Sequence, residues 1–261
     1  MAKLTKPQIK AHREAEALIG AERPLTDDEK LFVLDNWSES ANHINSAVGA
    51  FFTPTSLASD FSIEVAGGSC DSGPLIDLCA GIGCLSWFCR RPFSRIVCVE
   101  NNPDYVRVGR RILPEVEWIE ASIFDPKILA LGDFSWAISN PPFGNIKADG
   151  AKHKYTGSKF EYRVVELASM LADFGAFIVP QMSAPFRYSG EQRYREDESE
   201  DCRKFREQTG IVMETGCGID TSIYKGDWRG VSPTCEIVVC EFERRSVESS
   251  QLDLFGIEEV P

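Results

Sequence analysis

Leu75-Ile76-Asp77-Leu78-Cys79-Ala80-Gly81-Ile82-Gly83 decides the fold of this chain. Five residues, Leu75–Cys79, read as a short apolar strand, and small residues at 80, 81 and 83 follow at once. A helix is expected to begin near Cys84. Small residues at such a turn let a ligand approach the backbone closely. Working outward, apolar runs at Ile96–Glu100, Val116–Ile119, Phe134–Ser139 and Ala176–Pro180 read as further strands. Between the last two, Phe160, Val164, Leu167, Ala168, Leu171 and Phe174 fall at helical spacing. Ile211–Glu214 and Glu236–Phe242 complete the series. Alternating strands and helices predict an α/β fold, a seven-stranded mostly parallel sheet with helices on both faces.

Residues 7–19, 27–36 and 55–66 read as helices ahead of the sheet. Thr26-Asp27-Asp28-Glu29 has the cap-then-acid character of a helix start. The expected organisation is a helical segment over 1–50, one domain over 51–243 and a polar tail over 244–261. Residues 187–206 hold six basic and six acidic side chains and read as a solvated loop and helix, one that could also wall a substrate site.

The 261 residues and 43% hydrophobic content suit one sizeable α/β domain with small appendages. No apolar run is long enough to predict a membrane span. The first residues lack the apolar core of a signal peptide, so a cytoplasmic protein is expected. Nine cysteines include no C-x-x-C pair, and the three histidines are far apart, so no metal is expected. The net charge of −12 is unlike that of a protein that grips nucleic acid with its whole surface.

Two further signals carry chemistry. Glu100 ends the second strand, with Asn101 after it, where an acid can accept both ribose hydroxyls of a nucleoside. That feature fits dinucleotide and nucleoside cofactors alike. The first turn is not G-x-G-x-x-G, because Cys84, Leu85 and Ser86 follow Gly83. The second signal is Asn140-Pro141-Pro142-Phe143, directly after the fourth strand. The motif resembles that of enzymes that methylate an exocyclic amine, in which the Asn oxygen and the carbonyl of the first proline, here Pro141, accept from that NH2 and localise a nitrogen lone pair otherwise shared with the ring. Two prolines fix that backbone. Phe143 offers a face for a base to stack on.

In order and spacing, Phe51-Phe52-Thr53-Pro54, Asp77–Gly83, Glu100, Asp125 and Asn140–Phe143 resemble the S-adenosylmethionine (SAM)-dependent methyltransferases of class I, Rossmann-like fold. The arrangement is similar to the gamma type of N6-adenine DNA methyltransferases of bacteria and phages. The resemblance covers about residues 50–180. It implies SAM as cofactor, held by Phe52, Thr53, Pro54, Asp77, Cys79, Ala80, Gly81, Gly83, Glu100, Asn101, Asp125 and Asn140. In it, Asp125 accepts the adenine N6 hydrogens of the cofactor and Thr53 closes over the methionine end. Asp125 before Pro126 is also a good helix-start signal. The catalytic set is Asn140, Pro141, Pro142 and Phe143, acting on an adenine flipped out of the duplex. Asn-Pro-Pro-aromatic also occurs in enzymes that methylate RNA or a protein glutamine, and a non-catalytic replication accessory is a third reading.

Two departures bear on specificity: there is no room for a large target-recognition domain, and the chain is acidic. A separate recognition subunit is therefore left open. Residues 144–163 carry Lys147, Lys152, Lys154, Lys159 and Arg163 against Asp149 and Glu161, and read as a positive lid on DNA. An ordinary lysine-rich surface loop is the alternative. Gln251-Leu252-Asp253-Leu254-Phe255 resembles the peptide with which bacterial proteins dock on the replication sliding clamp. Its apolar anchors, Leu254 and Phe255, either bind such a partner or pack on their own domain.

Overall fold

The computed structural model describes residues 5–38, 51–65, 73–91, 93–145, 153–229 and 231–242. Two helices come first, α1 (Lys6–Ile19) and α2 (Asp27–Asn36). Each starts with a capping box: Thr5 pairs with Gln8, and Thr26 with Glu29. Both boxes satisfy amide hydrogens that the first turn leaves unpaired. Helix α3 (Thr55–Val65) leads into the sheet.

Strands β1 (Pro74–Leu78), β2 (Arg95–Glu100), β3 (Glu117–Glu120), β4 (Phe134–Ser139) and β5 (Ala172–Pro180) run parallel. The last strand of the large sheet pairs antiparallel with β5. It is β8 (Cys235–Glu241), after a two-residue pairing of β6 (Phe186–Arg187) with β7 (Arg195–Glu196). The large sheet has the order β3-β2-β1-β4-β5-β8. Helices α4 (Cys84–Cys89), α5 (Pro103–Ile112), α6 (Pro126–Leu129), α7 (Phe160–Ala168) and α8 (Glu200–Thr209) complete the fold.

Successive residues of each strand point to opposite faces. Leu75, Cys98, Ile138 and Ile178 therefore join one buried cluster with α1 to α5, while Ile76, Val97, Ala137 and Val179 join another with α6 to α8. The N-terminal helices belong to the first cluster through Ala15, Val33, Leu34 and Trp37. This two-sided burial explains why the strands read as nearly continuous apolar runs.

The expected seven strands are corrected to six. Of Ile211–Glu214, only Glu214 pairs with the sheet, as a single bridge to Val239 of β8. Val212 remains 52% exposed, so nothing draws it into the sheet. Gly216 and Gly218 (φ 56° and 75°) then turn the chain away. Phe174 also moves: it stands in β5, stacked on Trp136 of β4 at 5.3 Å, and not on α7, which ends at Ala168. The charged stretch 187–206 divides between the short β6–β7 pair and α8.

Gly109 is set by close approach. A Cβ on Gly109 of α5 would lie 2.1 Å from Cη2 of the buried Trp118 in β3. Gly109→Ala is expected to destabilise the fold by about 1–3 kcal/mol, lowering the thermal midpoint by roughly 3–10 °C. A melt of the variant followed by circular dichroism checks it.

Candidate active site

In an open parallel sheet, ligands settle where the strand order reverses, beyond the carboxyl ends of the strands. Here that place lies between β1 and β4, and the Phe51–Pro54 segment, the Gly81 turn, Glu100 and Asn140 come together there. The turn after β1 is unusual in its backbone. Cys79 holds φ 61° although it carries a side chain, and Gly81 and Gly83 have φ 58° and 88°. The turn is held by Ala80 N–H on Val99 O and by Gly83 N–H on Ala80 O.

Glu100, at the end of β2, is buried, and its carboxyl faces this turn. Its Oε2 accepts from Gly81 N–H and its Oε1 from Asn102 N–H, each at 2.9 Å. Burial pushes its pKa up, against the pull of those amides and that of Asn101. A carboxylate has about four acceptor positions, so it can take ribose hydroxyls as well. Asn101 itself is exposed. Asp125 caps α6, its Oδ1 accepting from Lys127 N–H at 3.0 Å. Its second oxygen has no such duty. Both readings of Asp125, helix cap and cofactor contact, are thus compatible in one carboxylate.

Asp77, also expected to hold the cofactor, lies buried within β1. It is 1% exposed, and its Oδ2 accepts from the Ser86 hydroxyl at 2.7 Å, while its Oδ1 has no partner. Burial pushes this carboxyl up to about 7 from an ordinary 3.8, with the Ser86 hydroxyl opposing and Glu100 adding a little. Between those values the folded chain keeps a proton that the unfolded chain has lost. Stability therefore falls as pH rises from about 4 to about 7 and stays low above that. Asp77→Asn removes the titration. It is expected to flatten the slope of thermal midpoint against pH and to stabilise the protein at pH 8 by on the order of 2–4 kcal/mol. Glu100 keeps its own share of the slope. Burial also raises the thiols of Cys79 and Cys98, so neither is an activated nucleophile.

The Phe51–Pro54 segment meets both halves of the site. Phe52 packs beside the turn, with two ring carbons 3.4 Å from where a Gly81 Cβ would stand. Behind it, Trp37 and Tyr105 support the ring at 5.8 Å and 5.0 Å between centroids. Pro54 O accepts from Ala58 N–H and so starts α3. The catalytic candidate Asn140 follows β4, whose last residue, Ser139, hydrogen-bonds Leu78 O at the end of β1. The Asn140 amide nitrogen donates to Phe51 O at 3.0 Å and to the Thr53 hydroxyl at 2.9 Å. Both its hydrogens are committed to this segment, so its Oδ1 is the atom left to accept. Pro141 is buried, and Pro142 and Phe143 are half-buried. The Phe143 ring meets Phe51 edge-on at 6.4 Å.

The proposed lysine lid is only partly described. Lys147 and Lys152 lie outside the described residues. Lys154 is exposed, and its N–H donates to Glu166 at 2.6 Å. Lys159 sits just before Phe160, whose N–H donates to Gly144 O at 2.9 Å, which brings it beside the loop that carries Asn140. Gln251, Leu252, Leu254 and Phe255 also lie outside the described residues. Sequence reasoning missed Trp37 and Tyr105 behind Phe52, because nothing in their local pattern announces a contact across the fold. Among the described residues, no group of three or more His, Cys, Asp or Glu could hold a metal ion. No described helix is long and apolar enough to cross a membrane.

Comparison with solved structures adds the fold. A class I SAM-dependent methyltransferase candidate from Listeria monocytogenes superposes with a TM-score of 0.58 at 11% identity, covering 86% of this chain and 71% of that one. A candidate RNA methyltransferase from Pyrococcus horikoshii gives 0.53 at 17% identity, covering 84% and 98%. The fold is the Rossmann-like methyltransferase fold. At such identities the likeness is one of architecture. No protein-family model matches the sequence, and no curated protein matches it.

Proposed function

We propose that this chain transfers a methyl group from SAM to the exocyclic N6 of adenine in DNA. The observation that carries the reading is the hold of Phe51 and Thr53 on the Asn140 amide nitrogen. It leaves Asn140 Oδ1 as the free acceptor of a side chain anchored to the segment that packs on the Gly81 turn, an arrangement suited to gripping an amine.

The residues present fit SAM. Glu100 would take its ribose hydroxyls, Asp125 its adenine amine, and the Ala80–Gly83 turn its backbone-facing side, with Phe52 and Thr53 beside the methionine end. Bound there, SAM supplies a methyl group on a positively charged sulfur. The protein's share is to hold the acceptor. Asn140 Oδ1 and the Pro141 carbonyl accept the two amine hydrogens, drawing the nitrogen toward tetrahedral geometry. Phe143 stacks on the flipped base. The proton leaves once transfer has begun, so no strong base is needed.

DNA is favoured over RNA by the Phe-Thr-Pro element and by the Gln251–Phe255 segment, read as a tether to the replication clamp. Tethering raises local concentration at DNA without a basic body, which suits a net charge of −12. RNA is the second reading, and the Pyrococcus neighbour, itself a candidate RNA methyltransferase, is the reason to keep it. Incubation with tritiated SAM and separate DNA, RNA and protein acceptors, followed by nucleoside mass spectrometry, decides between them. N6-methyladenine in DNA is expected. Label confined to RNA, to N4-methylcytosine or to protein would overturn the reading.

A further inference from the structure

Glu161 is a buried acid for which the chemistry above has no use. It stands in the first turn of α7 with 0% exposure. Its Oε2 accepts from Gly144 N–H at 3.0 Å, and its Oε1 accepts from the Ser183 hydroxyl at 2.7 Å. Gly144 directly follows Phe143, and its φ is 94°. Its carbonyl accepts in turn from Phe160 N–H at 2.9 Å. Both peptide groups of this one glycine are thus held by the start of α7. Next to them, the Ser158 hydroxyl donates to Asn145 Oδ1 at 2.8 Å.

The two prolines carry no amide hydrogen. The first N–H groups after Asn140 are therefore those of Phe143 and Gly144, and the second is the one Glu161 takes. Ser183 belongs to the short turn after β5, the strand beside β4. A single carboxyl therefore ties the loop that bears Asn140 to a helix behind it and to the neighbouring strand end. Burying a carboxyl is costly unless its partners are well placed. Here one partner is the far end of the candidate catalytic loop.

We propose that Glu161 is the positioning residue of the Asn140–Phe143 loop, fixing its height over the end of β4 through the Gly144 amide and its lateral place through Ser183. The kinetic part of this proposal rests on the methyl-transfer reading. The structural part does not.

The test uses the full chain with Glu161→Ala, Glu161→Gln and Glu161→Asp. Gln can still accept from Gly144 N–H and donate to Ser183. Asp keeps the acid but is one methylene short of Gly144. A loop displaced by about 1 Å costs roughly 100-fold in rate, so Ala and Asp are expected to lower kcat by about that factor. SAM affinity by calorimetry should stay within about two-fold, and Gln should recover most of kcat. Amide exchange at Gly144 should speed up in Ala and Asp, while exchange at Gly81, held by Glu100, stays slow. If Ala fails to fold, Asp carries the comparison. Wild-type kcat in Ala or Asp would overturn the proposal, as would a parallel loss of SAM affinity and Gly81 protection. A wild-type protein silent toward every nucleic acid would overturn the acceptor reading instead. Glu161 would then be judged on exchange alone, where slow exchange at Gly144 in Asp sinks it.

Discussion

Asn140→Ala is expected to lower kcat by about 10³-fold, roughly 4 kcal/mol of transition-state stabilisation, with little change in SAM affinity. The expectation rests on the division of labour within one side chain. The nitrogen anchors the side chain on Phe51 O and Thr53, and in the proposed reaction the oxygen holds the acceptor. Alanine removes both. Asn140→Asp separates them, because it keeps an acceptor oxygen but sets a second oxygen against the Phe51 carbonyl. Repulsion there should swing the carboxylate out of line, so Asp is expected to be nearly as impaired as Ala. Thr53→Val should do less harm, since one of the two anchors remains. Steady-state rates under saturating SAM check all three. An Asp variant with near wild-type kcat would mean that the anchor to Phe51 is irrelevant to the chemistry.

Glu100→Ala should show the complementary pattern. It removes the proposed acceptor for the ribose hydroxyls and leaves the Gly81 and Asn102 amides without their partner. Lost charge-assisted hydrogen bonds and newly unpaired donors each cost on the order of 1–3 kcal/mol, so SAM affinity is expected to fall by about 10²-fold or more. At saturating SAM, kcat should lie close to that of the wild type. Titration calorimetry measures the first quantity and initial rates the second. Because burial raises the pKa of Glu100, its ionised form, the better acceptor, is lost as pH falls through that raised value. Donor affinity should weaken over that range, and Glu100→Gln should remove the dependence. A Glu100→Ala variant that binds SAM as tightly as the wild type would place the nucleoside elsewhere.

The sheet was legible because its strands are short apolar runs bounded by turn residues, a signal local in sequence. The Gly81 turn and the Asn140 loop were legible for the same reason, since each is a contiguous motif. Contacts that join distant segments were not. Glu161 reads as one more charge in a lysine-rich stretch, and nothing near it in sequence names Gly144 or Ser183 as its partner. Glu236 is similar: it lies in β8, buried, and accepts from Tyr188, Ser189 and Gln181. Alternation along a strand predicts burial of its apolar neighbours, not that an acid there clasps a loop. The missing seventh strand failed for a different reason. Ile211-Val212-Met213 is apolar enough for a strand, but the glycines that follow end the pairing after one residue.

The succession Asn140-Pro141 has a bearing on how the molecule ages. Asparagine side chains decay to aspartate mainly through a cyclic imide, formed when the backbone nitrogen of the next residue attacks the side-chain carbonyl and gives up its hydrogen. Pro141 has no hydrogen on that nitrogen, so this route is closed at the residue where it would do most harm. The same proline whose carbonyl is proposed to meet the acceptor also protects Asn140 from slow conversion to the Asp variant whose activity is expected to be lost.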